Sequence, residues 1–175
     1  MGMAATGIIL PTEADVSDAM TCHEERQSSI AVAPEVLFDH LDDPARFGRH
    51  MAKPSLMMLG GSMSYLLDEA KGRAVGSIIR MEGYVAGMKL SLEERVTERD
   101  PPWRKTWETI GSVRLVVIDW YRMGFVLAPD QDGSRISAFI DYTPNARFPL
   151  IAAPVARVYA LWCLQQIVRA AQIGA

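Results

Sequence analysis

The sequence predicts an α+β domain in which an antiparallel sheet curves over one long C-terminal helix. Three observations predict it. The stretch 150–171, LIAAPVARVYALWCLQQIVRAA, is the only long helical run and is apolar on more than one side, so other elements must wrap it. The residues before it read as about six consecutive strands joined by short turns, which makes them antiparallel neighbours. One further strand and two short helices come first, for seven strands in all.

Residues 1–18 show no periodic pattern and are assigned to an N-terminal extension, leaving 19–173 as the domain. Met20 to Val32 reads as the first strand, with Cys22, Glu24, Arg26 and Ser28 on the Ile30 face. Pro34 suits the first position of a short helix through Leu41, and Asp43-Pro44 leads into a second, PARFGRHM. A loop with Met57, Met58 and Leu59 follows. SMSYLLDE is the second strand and RAVGSIIRMEGYV, from Arg73, the third. MKLSLEERVTE alternates cleanly, placing Met88, Leu90, Leu92, Glu94 and Val96 on one face. WRKTWETI carries Trp103 and Trp107 on a common face. VRLVVIDWYRMGFVLAP aligns Asp119, Tyr121, Met123 and Phe125. The turn at 130–134 has Asp132-Gly133 as its strongest element, and the last strand gathers Ile136, Ala138, Ile140 and Tyr142.

Composition fits a globular domain and narrows the partners. Of 175 residues, 49% are apolar and 22% charged, enough for a core and too few charges for disorder. A net charge of −3 without a basic cluster argues against nucleic acid. The two cysteines, Cys22 and Cys163, lie far apart; with no signal-peptide pattern they read as reduced thiols of a cytoplasmic protein. No stretch approaches the ~20 apolar residues of a membrane span, so no stable membrane insertion is expected. His23, His40 and His50 lack metal-ligand spacing, and no nucleophile elbow, GxGxxG or P-loop is present. Neither a metal nor a cofactor is expected. The oligomeric state stays open between monomer and homodimer.

Four stretches carry a resemblance: SIAVAPEVLFDHLDDP at 29–44, EERVTERDPPWRKTWE at 93–108, RMGFVLAPDQDGSRISAFIDY at 122–142 and VYALWCLQQIV at 158–168. With this element order they resemble the START-like, Bet v1-like (SRPBCC) superfamily, nearest its polyketide cyclase/dehydrase and lipid-transport branch. The resemblance implies a helix-grip fold: a seven-stranded antiparallel sheet wrapped around the last helix, with an internal cavity between them. It is almost silent on activity, because the superfamily holds carriers, receptors, cyclases and chaperone activators.

An apolar small molecule, such as a lipid, isoprenoid or aromatic polyketide, is the expected partner. Its candidate wall is the inward set: Met57 from the loop; Met63 and Tyr65; Met88, Leu90 and Leu92; Trp107; Tyr121, Met123 and Phe125; and Tyr142. From the helix it takes Val155, Val158 and Trp162, with the N-terminal half of the helix facing the cavity. For any single member, ordinary core is the commoner role. Methionine suits an adaptable wall, and the chain has ten. Asp119, Tyr121, Glu24 and Arg26 are the candidate polar anchors or acid/base groups. A buried carboxylate needs a partner, so Asp119 or Glu24 is expected to meet Arg26 or Arg80. The alternative is a cyclase or dehydratase working in the same cavity with one or two such groups. A protein-partner module would require an exposed apolar patch, which the sequence does not show.

Overall fold

The computed structural model describes residues 21–44, 62–85, 88–111, 117–145 and 149–173. Strand β1 (Cys22–Ile30) leads through helix α1 (Pro34–Leu41) to β2 (Ser62–Leu67), β3 (Ile78–Val85), β4 (Met88–Asp100), β5 (Arg104–Ile110), β6 (Ile118–Asp130) and β7 (Gly133–Pro144), and the chain closes with helix α2 (Pro149–Ile173). The strands form one seven-stranded antiparallel sheet in the order β1-β7-β6-β5-β4-β3-β2. The inner face packs against α2 and α1, as the helix-grip expectation requires. The extension assigned to 1–18, Met57, and all but Pro44 of the second short helix fall outside the described residues.

Helix α1 begins as its sequence suggests, with Pro34 in the first turn, where a missing N–H costs nothing. It ends where the Asp42 N–H donates to the Phe38 carbonyl at 2.8 Å. Leu37, Phe38 and Leu41 face the core, and the Phe38 ring meets Phe125 edge-on at 5.8 Å.

Two boundaries differ from the sequence reading. Strand β3 starts at Ile78, not Arg73, because Asp68 organises the intervening segment as a turn. Its carboxylate accepts from the N–H of Gly72 at 3.1 Å and of Ile78 at 2.9 Å, while Gly72 takes the left-handed conformation (φ 71°). In the β6–β7 hairpin, Asp130 pairs with Gly133, so the turn is Gln131-Asp132 and Gly133 already belongs to the strand. Glycine is needed there for close approach: a Cβ would sit 2.1 Å from the Ile30 carbonyl oxygen of β1. Trp103 lies in the turn before β5 and is partly exposed, so it does not share the buried position of Trp107.

The face of α2 also needs correcting. Its buried residues are Ala152, Ala156, Ala160, Leu164, Ile167, Val168 and Ala171, which lie on one face of the helix. Small side chains let the helix axis approach β1 and β7 closely, and Ile136, Ala138, Ile140 and Tyr142 fill the space from the sheet. Val155 and Val158, expected to face the cavity, are instead 43% and 58% exposed. Trp162 is half-buried and lies against the Tyr159 ring at 5.8 Å. Farther along the helix, Leu164, Val168 and Ala171 are buried and Leu161 is partly so. Pro154 sits inside the helix. No described helix is long and apolar enough to cross a membrane.

Candidate functional site

Between α2 and the β2–β7 part of the sheet lies a cavity of about 60 Å³. That exceeds the ~30 Å³ share of one liquid water and falls well short of the ~300–1,000 Å³ of sites for drug-sized ligands. Its apolar wall comes from Leu41 and Pro44, from Ile79 and Met81 on β3, and from Leu92, Met123 and Ile140 across the sheet. The strand register explains the grouping: Tyr65 pairs with Met81, Met81 with Leu92, and Trp107 with Met123. Directly paired residues share a face.

One end of this wall is polar. Glu94 follows Leu92 on the inward face of β4 and is only 5% exposed. The Tyr121 hydroxyl donates to its carboxylate. Burial raises the Glu94 carboxyl to about 7, against the opposing pull of hydrogen bonds from Tyr121 and Trp107 and the positive charge of Lys105. Tyr121 is fixed from behind by Thr109, whose hydroxyl accepts from the Tyr121 N–H at 3.1 Å. Burial, then the Glu94 charge, pushes the Tyr121 hydroxyl well above the usual phenol range. Tyr159 and Cys163, one turn apart on α2, close the cluster. The Cys163 thiol is pushed up to about 12 by burial, which leaves it protonated and unreactive at neutral pH.

Tyr65 completes this end. It is half-buried as a residue, but its hydroxyl is shut off from solvent and has no hydrogen-bond partner. Burial raises its pKa, as does the Glu94 charge, so it stays a neutral donor. Buried polar groups without partners are rare, and each asks for an explanation.

Lys105 lines the cavity from β5, at 2% exposed. Its ammonium donates to the Asp42 carboxylate at 2.7 Å and to the Asp42 carbonyl at 2.9 Å. Arg99 also reaches Asp42, through Nη2 at 2.9 Å and Nε at 3.2 Å, and lies 5.5 Å over the Phe38 ring. Arg99 can face inward because a register shift between Val96 and Glu98 turns the end of β4 over. Desolvation lowers the Lys105 pKa, with Asp42 opposing. The arrangement ties the end of α1 to β4 and β5.

Of the residues expected to bind a ligand, Tyr65, Leu92, Trp107, Tyr121 and Met123 line this cavity. Leu90, Phe125 and Tyr142 are buried core that does not border it. The side chains of Met63 and Met88 are outside the described set. Among the polar candidates only Tyr121 is at the site. Asp119 is exposed, because a register shift between Ile118 and Trp120 turns Ile118 inward and Asp119 out of the Tyr121 face. Glu24 keeps the inward side of β1, but its partner is Arg157 of α2, at 2.7 Å, and neither Arg26 nor Arg80. Arg26 is exposed, and Arg80 pairs with Glu93 at 2.6 Å.

Glu94, Lys105, Tyr159 and Cys163 were missed. For Glu94 the signal was present: the alternation that placed Leu90, Leu92 and Val96 inward placed this carboxylate with them. Lys105 had the same signal, two residues before Trp107.

No family model matches the sequence, and no curated protein matches it. Solved structures do match. Protein CV1439 from Chromobacterium violaceum superposes with a TM-score of 0.60 at 18% identity, over 86% of this chain and 95% of that one. Norcoclaurine synthase from Thalictrum flavum gives 0.62 at 16% identity, over 97% and 96%. The di-domain ARO/CYC StfQ from the steffimycin biosynthetic pathway gives 0.65 at 13% identity, with 89% of this chain covering 51% of that protein. The chain shares the fold of these structures, a seven-stranded antiparallel sheet gripping a long C-terminal helix.

Proposed function

We propose that residues 19–173 form a binding domain for an apolar small molecule, a lipid, isoprenoid or aromatic polyketide, held between the sheet and α2 as cargo or signal. The observation that carries this reading is the cavity itself: a mainly apolar wall inside the fold that carries a few polar groups, Glu94, Lys105 and the Tyr65 hydroxyl among them. A limited number of placed polar groups in an apolar pocket is the usual make-up of a small-molecule site. Met81 and Met123 give that wall side chains able to repack around a ligand larger than the present space. The reading describes a cytoplasmic protein with reduced thiols and no nucleic-acid partner.

A second reading, favoured by Glu94, is a cyclase- or dehydratase-like enzyme using the same cavity. A carboxyl raised to about 7 can exchange a proton near neutral pH, and neighbours in fold include a named synthase and named cyclases. Mass spectrometry of the purified protein under native and then denaturing conditions tests the first reading. A co-purified apolar molecule of defined mass is expected. An empty protein that also fails to take up fatty acids and aromatic probes defeats both readings. With a ligand in hand, loss of its turnover but not its binding in Glu94→Gln marks the enzyme.

A further inference from the structure

Most polar groups bordering the cavity are matched within the fold. Tyr121 donates to Glu94, Lys105 is held by Asp42, and Tyr159 is hydrogen-bonded with Cys163. Among the described residues the Tyr65 hydroxyl is the exception, a buried donor with nothing to receive it. Glu94 complements it. A carboxylate has about four lone-pair sites, and Tyr121 and Trp107 engage only some of them. This end of the cavity therefore offers one free donor and spare acceptor capacity, on strands β2 and β4 of the same sheet face.

We propose that the ligand enters this end through a hydroxyl group, an alcohol or phenol on an apolar body, whose oxygen accepts from Tyr65 and whose own proton is donated to Glu94. The assignment rests on the cavity being a ligand site, as proposed above. Other end groups fit less well. A carbonyl satisfies Tyr65 but brings no donor to Glu94. A carboxylate sets a second negative charge against Glu94. An ammonium is opposed by Lys105, whose charge already acts on Glu94. Among the described residues, the titratable groups facing Glu94 are Tyr65 from β2, Lys105 from β5, Tyr121 from β6, and Tyr159 and Cys163 from α2. Lys105, ion-paired with Asp42, is the cation among these, and the acceptor character of Glu94 strengthens as pH rises through its own titration.

Paired probes of equal shape test the assignment: p-cresol and p-xylene, titrated into the full chain at about pH 8, where a phenol is still protonated. The wild type is expected to favour p-cresol by roughly tenfold or more, as a charge-assisted hydrogen bond in a dry site allows. Tyr65→Phe and Glu94→Gln are each expected to bring the ratio of the two affinities toward one. Tyr65→Phe removes only an unpartnered oxygen, so it keeps the test valid if Glu94→Gln folds poorly. Equal binding of the two probes by the wild type, or an undiminished preference in both variants, overturns the hydroxyl assignment while apolar binding stands. Binding of neither probe overturns the ligand-site reading and this assignment with it.

Discussion

Where α2 crosses β1 and β7, the interior is closely packed. Ala156 and Ala160 of the helix and Ile136 and Ala138 of β7 are all fully buried there. Across β2 to β6 the same sheet face is neither covered as closely nor purely apolar: it carries Glu94, Lys105 and the Tyr65 hydroxyl around a cavity. The difference shows how this fold divides its labour. Small residues on the helix secure one half by close packing, and the other half, farther from the helix, keeps room and tolerates buried polar groups. Those polar groups depress stability, and each is retained only through a partner in the fold or, for Tyr65, one from outside it.

The contrast can be broken most severely on the polar side. Asp42→Ala leaves Lys105 without its counter-ion and Arg99 without its bidentate partner. Stranding a buried charge costs about 3–5 kcal/mol, so urea denaturation should show a loss of that size. A loss below about 1 kcal/mol would mean that Asp42 contributes no more than a surface pair.

The second test uses pH. Glu94 titrates near 7 in the folded protein against an ordinary 4.5, so the folded state keeps a proton that the unfolded chain releases. The stability this proton contributes is fully present below about pH 4.5 and is lost as pH rises through about 7. At ~1.4 kcal/mol per pKa unit, the loss is on the order of 3 kcal/mol. Denaturation curves of Glu94→Gln between those pH values should lack this fall. A wild-type slope preserved in the variant assigns the titration to another group.

The smallest expected effect concerns the packed half. Ala156→Leu places a large side chain where α2 meets the sheet, at a fully buried position, and overpacking of this kind costs about 1–3 kcal/mol. Val158→Ala, on the exposed side of the same helix, should change stability by no more than ~0.5 kcal/mol. Equal thermal shifts for the two would refute the helix orientation described here.

The strands and their inward faces were legible because period-two alternation is written locally: Leu90, Leu92 and Val96 read inward and are buried. Reading failed where an inserted residue reverses the alternation. The register shift after Ile118 turned Asp119 outward, and the one after Val96 turned Arg99 inward, and neither leaves a mark in the residue pattern. The helix misled for another reason. In the first half of α2, Val155 and Val158 are more hydrophobic than the neighbouring alanines, yet Ala152, Ala156 and Ala160 are the buried residues, because the distance between helix and sheet there selects for size ahead of hydrophobicity.

By itself the sequence determined the element order, the antiparallel sheet, the enclosing of a long C-terminal helix and the inward side of most strands, all of which follow from local periodicity and turn chemistry. Only the tertiary structure decided which inward residues border empty space, that Asp42 is shared by Lys105 and Arg99, and that Glu94 meets Tyr121 while the Tyr65 hydroxyl meets nothing. Those contacts join residues tens of positions apart, so they depend on strand register and helix depth, which no local pattern encodes.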